Sequence, residues 1–389
     1  MRAAMGVERG DVKGIAGLRK MCSDAEVVRA AMVLGEARRK AVGKFGVKRA
    51  ATLWADPAGV EMATSTVVAD YKDAIFNMLL CRNDAFDLCC GIGGDAIALA
   101  PTLDLTVVDS DPVRAWMAAR NSGCPAICAD ATTIDCSAAA VHIDPARRSE
   151  GRRLWRSEDL LPSLAEVRSI MDRTTLGGAV KLGPGADLEA IEGAFPNGMV
   201  DVISERGRLV QTVVWIGDLV LANPGSRQAT LVMGQPGAQL PENSWVTIQE
   251  PVSIEAPPAT EDSRARRYVY EPDDSVERAG LLGALCAKLG APMLHPRVGL
   301  LTSDVLLRSP WVSGFEVVEE MVWNEKRVKG VLEAHGAGIV EVKTRGGVVE
   351  TDAMQGRLRG KGDAPMVVFV VRVGREVRAI IARRVLATC

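Results

Sequence analysis

Aromatic side chains are scarce: seven Trp, three Tyr and six Phe make up 4% of the 389 residues. Broad aromatic platforms for stacking successive bases are therefore excluded. The nine cysteines (Cys22, Cys81, Cys89, Cys90, Cys124, Cys128, Cys136, Cys286 and Cys389) contain no C-x-x-C pair. Cys124 and Cys128 are four apart, but no second pair or His cluster completes a zinc site. The expectation is reduced, mostly buried thiols and no metal. No apolar run reaches the length of about 18 residues that a membrane span requires. The opening MRAAMGVERGDVKG has no apolar core of a secretory signal. These absences predict a cytoplasmic protein without a membrane partner.

What is present is ample core material and a divided charge. Hydrophobic residues are 48% of the chain, and its length suggests two or three domains. The net charge of −2 conceals 12 Lys/Arg against 5 Asp/Glu in residues 1–50, and 13 against 10 in residues 311–389. The segment between them is acidic. Basic ends suit a polyanion partner, or are solvated helix faces.

Ser23-Asp24-Ala25-Glu26 has the form of a capping box before a helical pattern that ends in Arg38, Arg39, Lys40 and Lys44. Thr64-Ser65 predicts the cap of a second helix, with Val67, Val68, Tyr71 and Ile75 on one stripe. Residues 1–82 thus read as an N-terminal helical region. Strands and helices then alternate. Strands are predicted at Ala85–Cys89, Leu105–Val108, Pro125–Cys128, Ala138–Ile143 and Ala179–Leu182, with helices at Gly94–Ala100, after Asp111-Pro112, and at Leu160–Met171. Val200–Ser204 and Leu209–Ile216 flank a glycine turn and form a hairpin. This is an α/β, Rossmann-like parallel sheet closed by an antiparallel pair, over residues 83–235. Residues 236–310 read as a linker or irregular segment with a helix at Val276–Leu289. Residues 311–389 read as a compact α+β module, with strands at Phe315–Val318, Ile339–Val342, Met366–Val373 and Val377–Ile381 and a helix near Lys326–His335.

The segment Asp87–Ala100, DLCCGIGGDAIALA, carries a glycine turn between a strand and a helix. Such a turn brings backbone close to a ligand and aims the helix N–H groups at it. Gly91, Gly93 and Ala96 fit the dinucleotide fingerprint, a weak signal alone. No G-x-x-x-x-G-K-[ST] occurs here, which rules out a P-loop. Asp109 follows at the end of the second strand, where a carboxylate can accept from both ribose hydroxyls of either kind of nucleoside cofactor.

Asp87 with its glycines resembles motif I of class I S-adenosylmethionine-dependent methyltransferases, and the D-x-x-C-G-x-G-G form is similar to their nucleic-acid branch. The resemblance implies a cofactor site built from Asp87, Cys90, Gly91, Gly93, Gly94, Asp95, Asp109, Asp130 and Ala131. Asp130 would accept from the adenine amine, and S-adenosylhomocysteine would be the product. HIDPARR (142–148) matches the [DN]-P-P-[YFW] position of base methyltransferases in Asp144 and Pro145, and departs from it at Ala146 and Arg147. Asp144 and Pro145 are the implied catalytic residues. Uracil C5 chemistry needs a later nucleophilic Cys, and none lies between Cys136 and Cys286. Arg147, Arg148 and Arg152 open an arginine cluster suited to phosphates or base stacking. Lys181, at the end of the fifth strand, could meet the phosphate or base, or only an ion-pair partner. With EMATSTVVADY, VKLGPG, YVYEPDDSVERAG and GLLTSD, the motifs in order resemble bacterial class I methyltransferases with a C-terminal THUMP-like domain. That family implies an enzyme acting on RNA, either tRNA or rRNA, at a base nitrogen; the alternative readings are a small-molecule or protein methyltransferase and a catalytically weak RNA-binding factor.

Overall fold

The structure is a computed structural model and describes residues 11–147, 159–238, 241, 244–249 and 264–385. The chain divides into two compact units, Met1–Thr247 and Ile248–Cys389. Among the described residues no helix is long and apolar enough to cross a membrane.

The first unit opens with α1 (Val12–Met21), α2 (Ala25–Ala50), α3 (Pro57–Met62) and α4 (Thr66–Leu79). Asp24, rather than the expected Ser23, caps α2. Its carboxylate accepts from the N–H groups of Glu26 and Val27 at the positive end of the helix. Ser65 caps α4, and the predicted stripe is buried. These helices are not a separate body, because Tyr71 and Phe76 of α4 pack edge-on against Trp215 in the core of the sheet.

The chain then runs through β1 (Asp84–Leu88), α5 (Ala96–Leu99), β2 (Asp104–Asp109), α6 (Pro112–Ser122), β3 (Ala126–Cys128), β4 (Ala140–Ile143), β5 (Ala146–Arg147) and β6 (Leu160–Leu161). It continues through α7 (Leu164–Met171), β7 (Gly177–Leu182), α8 (Leu188–Ala194), β8 (Met199–Glu205), β9 (Arg208–Gly217), β10 (Arg227–Val232) and β11 (Trp245–Gln249). Nine of these strands form one sheet in the order β11-β10-β8-β9-β7-β4-β1-β2-β3. The β7, β4, β1, β2 and β3 strands pair in parallel, while β9 runs antiparallel to both β7 and β8. The predicted hairpin is present. Arg206 and Gly207 both have positive φ, as a two-residue turn matched to strand twist requires. The helix expected from Leu160 starts only at Leu164. Leu160 and Leu161 pair instead with Arg147 and Ala146, Pro162 disfavours helix before it, and Ser163 closes a capping box with Glu166.

The second unit comprises β12 (Tyr268–Pro272), α9 (Asp274–Ala279), α10 (Leu282–Leu289), β13 (Leu301–Ser303), β14 (Val312–Val322), α11 (Glu325–Ala334), β15 (Ala337–Arg345), α12 (Thr351–Leu358), β16 (Ala364–Val373) and β17 (Glu376–Arg384). Its sheet has the order β13-β12-β14-β17-β16-β15. Alternate residues of β16 enter two different cores, Val368 and Val370 in one and Val367, Phe369 and Val371 in the other. Both faces of the sheet are therefore covered. Two expectations change here. The single helix at Val276–Leu289 is two, parted at Gly280 in the left-handed region. The expected linker up to residue 310 already holds β12 and β13, and β12 pairs with the start of β14.

Candidate active site

The C-terminal ends of β1, β2, β3, β4 and β7 open on one cavity of about 790 Å³. The chain leaves β1 through Cys89 and Gly91, both with positive φ, and turns into α5. Asp109, at the tip of β2, holds this turn: its Oδ2 accepts from Gly91 N–H at 2.9 Å, and its Oδ1 accepts from Asp111 N–H at 2.9 Å. Burial raises the Asp109 carboxyl, and these two bonds oppose the rise. Asp111 caps α6 through Val113 and Arg114. Asp130 is exposed after β3 and accepts from Thr132 N–H at 2.9 Å, with Ala131 buried beside it.

Cys90, Gly91, Gly94 and Asp95 line the cavity from the turn, Asp109, Asp130 and Ala131 from the next two strands, and Asp144, Pro145 and Lys181 from β4 and β7. Two predicted residues stand behind this wall. Asp87 is buried under it and accepts from or donates to His142 Nδ1 at 2.7 Å, with its other oxygen unpartnered among the described residues. Gly93 faces α6, where an added Cβ would lie 3.0 Å from Ala118 Cα, so its role is close helix packing. Arg147 pairs its backbone with Leu160, and Arg148 and Arg152 lie outside the described residues. Burial drives the Cys89 and Cys90 thiols well up, so neither is a thiolate at neutral pH.

The cavity floor is ionic. Lys72, fully buried in α4, forms an ion pair with Asp95 and lies 3.0 Å from His142 Nε2. Thr64 Oγ1 donates to Asp95 Oδ2 at 2.7 Å. Burial opposes ionisation of Asp95, but Lys72 and then His142 outweigh it and hold the carboxyl well below its ordinary range. Beside it Lys181 donates to Asp144 Oδ2 at 2.5 Å and to Met62 O at 3.1 Å. Burial disfavours the Lys181 ammonium, yet Asp144 and Asp95 reverse this and raise its pKa. Asp144 Oδ1 has no protein partner among the described residues.

Residues 61–64 form the wall facing the glycine turn, and the basic cluster of α2 holds them. Lys40 pairs with Glu61 at 2.8 Å, and Lys44 donates to the carbonyls of Glu61 and Ala63 at 2.6 and 2.7 Å. Arg38 is turned inward to Leu53 O. Arg38 and Lys44 are thus engaged within the fold and Lys40 in a surface ion pair, so these three of the twelve N-terminal cations have partners within the chain, Lys40 and Lys44 on the site wall. Sequence reasoning did not single out Thr64, Lys72 or Gln211 for the site. Lys72 left one signal, a lysine on the buried stripe of Val68 and Ile75.

Comparison with known proteins agrees with this architecture. Two Mycobacterium tuberculosis proteins, from strains CDC 1551 and H37Rv, are each 32% identical over 349 residues, which is 87% of this chain and 90% of theirs. Both are described as uncharacterized S-adenosylmethionine-dependent methyltransferases. The chain belongs to the S-adenosylmethionine-dependent methyltransferases. A solved structure from Porphyromonas gingivalis W83, described as a candidate methyltransferase, shares the fold with a TM-score of 0.73 at 18% identity, over 93% of this chain and 92% of its own. Residues 312–384 match the THUMP domain-like family.

The cavity suits the methyltransferase cofactor in size and charge. Its volume falls within the roughly 300–1,000 Å³ typical of small-molecule sites. Among the described residues seven carboxylates and two cations, Arg114 and Lys181, line it, a balance that favours a sulfonium cation. An added Cβ at Gly91 would meet nothing within 4 Å, so the backbone there is open to an approaching ligand.

Proposed function

We propose that this methyltransferase acts on RNA, tRNA or rRNA, at a base nitrogen held by Asp144. The carrying observation is the Asp144–Lys181 pair at the cavity floor: one carboxylate oxygen is fixed by a buried ammonium, and the other is left to accept. S-adenosylmethionine, when bound, supplies an electrophilic methyl group on a sulfonium. Asp109 would take the ribose hydroxyls and Asp130 with Ala131 the adenine, while Gly91 and Gly94 let the backbone approach.

Asp144 Oδ1 accepts the N–H of the attacking nitrogen, aims its lone pair, and takes the proton that nitrogen sheds. Lys181 fixes the carboxylate rotamer, so the acceptor is already in position before the base arrives. Pro145 removes a backbone donor from the rim and stiffens the loop after β4. The acid-rich wall of described residues is suited to an uncharged base, and phosphate contacts call for cations beyond it. The arginine cluster that begins at Arg147 and the THUMP-like unit are the candidates, since THUMP domains bring RNA to their catalytic partners.

A second reading, a small-molecule or protein acceptor, is favoured by the same acidity. Labelled cofactor offered to unmodified tRNA and rRNA transcripts, and to a cell extract, separates the two. Label confined to metabolites or protein rejects RNA. Asp144→Ala should lower turnover by about 10²–10⁴-fold with cofactor affinity within a few-fold; a fully active variant removes Asp144 from the mechanism.

A further inference from the structure

Gln211 of β9 is 3% exposed and lines the cavity, yet its amide nitrogen has no hydrogen-bond partner among the described residues. A buried amide donor left unpaired is costly, and native structures tolerate it mainly where something outside the chain completes it. The strand is shaped to aim this side chain. Between Ile203 and Ser204 the β8–β9 register slips, leaving Val210 of β9 without an opposite partner. Regular alternation would send Val210 and Gln211 to opposite faces. Instead both line the cavity, as a bulge that redirects a side chain permits. Two residues further along, Val213 pairs with Lys181 across β7 and β9. Gln211 therefore shares the sheet face of Lys181, whose ammonium holds Asp144.

We propose that Gln211 is the specificity-determining residue for the acceptor base. Its amide nitrogen donates to a ring nitrogen beside an exocyclic amine, and its oxygen takes one amine hydrogen while Asp144 takes the other. That arrangement selects the amine-and-ring-nitrogen edge of adenine or cytosine over the imide edge of uracil, because two acceptors, the Gln211 oxygen and Asp144, meet the same nitrogen, and an amine supplies two hydrogens where an imide supplies one. This rests on the proposed RNA reading and names the base edge that the same site takes.

The test uses the full chain, tritiated S-adenosylmethionine and unmodified tRNA and rRNA transcripts, with nucleoside digests of the product. Gln211→Met keeps the length and removes both hydrogen bonds. It should lower kcat/KM for RNA about 100-fold while the cofactor Kd, measured by calorimetry, stays within two-fold. Gln211→Glu, which cannot donate when ionised, should do no better. Label in the wild-type digest should sit on the exocyclic amine of adenosine or cytidine. Unchanged kcat/KM in Gln211→Met, or a parallel loss of cofactor affinity, overturns the assignment, as does label on uridine. If Gln211→Met does not fold, Gln211→Asn carries the same expectation and the same refutation. Wild-type protein that labels no RNA defeats the RNA reading and this role together. Labelled RNA with indifferent Gln211 variants defeats this role alone.

Discussion

Two buried polar regions of the first unit treat charge in opposite ways. On the cavity floor Asp95 meets the cations Lys72 and, through the same cluster, Lys181, and its carboxyl is held well below the usual range although burial opposes this. Beneath β8–β10, Asp201 is 0% exposed and is surrounded by neutral donors: Tyr71 Oη at 2.7 Å, Thr230 Oγ1 at 2.7 Å and Trp215 Nε1 at 3.2 Å. There burial wins over the hydrogen bonds, and the carboxyl is pushed up to about 6. Neutral donors satisfy lone pairs but do not replace the lost hydration of an anion, whereas a buried ammonium does. On the floor the carboxylate is held ionised by cations, although burial lowers Lys72 itself; the core carboxylate, with neutral donors alone, is held closer to protonation.

Lys72→Met tests the first half of this contrast and should have the largest effect. It strips the buried Asp95 anion of its nearest cation, and breaking a buried pair in this way typically costs about 3–5 kcal/mol. Urea unfolding at pH 7 reads the loss. Adding Asp95→Asn should recover most of it, because the stranded charge goes with the carboxylate. A single-variant loss below about 1 kcal/mol would mean that the floor does not depend on its ammonium.

The second half is read by pH. The ordinary carboxyl value is 3.8 and the folded value about 6, so the folded state binds the Asp201 proton more tightly than the unfolded state. Stability therefore falls as pH rises from about 4 to about 6, by about 3 kcal/mol from this group alone. Asp70, also raised to about 6 chiefly by burial, titrates in the same window, so the wild-type slope is a sum. Subtracting the Asp201→Asn profile isolates the Asp201 share. Parallel profiles in wild type and variant would refute the raised value.

The same contrast marks what could be read from residues alone. Asp109 and Asp130 sit at strand ends fixed by local punctuation, Asp111-Pro112 in one case and a short turn in the other, so their places in the fold were legible, Asp109 by its spacing from the glycine turn and Asp130 by the family resemblance. The parallel strands, the hairpin and most of the C-terminal strands were legible for the same reason, since period and turn chemistry are local. Asp87 matched a motif position, but its exclusion from the cavity depends on His142, 55 residues away. The Lys72–Asp95 pair, Lys44 reaching the carbonyls of Glu61 and Ala63, and the bulge that aims Gln211 are likewise products of tertiary contact. Burial of β12 within the second sheet was missed because Pro and Gly density before it resembled a linker.

If that division is functional as well as structural, the rim should govern ligand affinity where the floor governs stability. Asp109→Asn is the smallest change that asks this. One carboxylate oxygen becomes an NH₂ facing either Gly91 N–H or Asp111 N–H, so one turn bond is lost together with one acceptor for the ribose. The turn bond is lost with or without cofactor, so only the ribose acceptor counts toward binding; at about 1 kcal/mol the cofactor Kd should rise roughly 5-fold. The unfolding free energy of the cofactor-free protein should drop by only about 1 kcal/mol, the share of the turn bond. Calorimetry and urea unfolding on the same preparation give both numbers. An unchanged Kd would place the ribose elsewhere. A stability loss as large as that of Lys72→Met would mean that rim and floor are one cooperative unit, and that their different legibility carries no functional meaning.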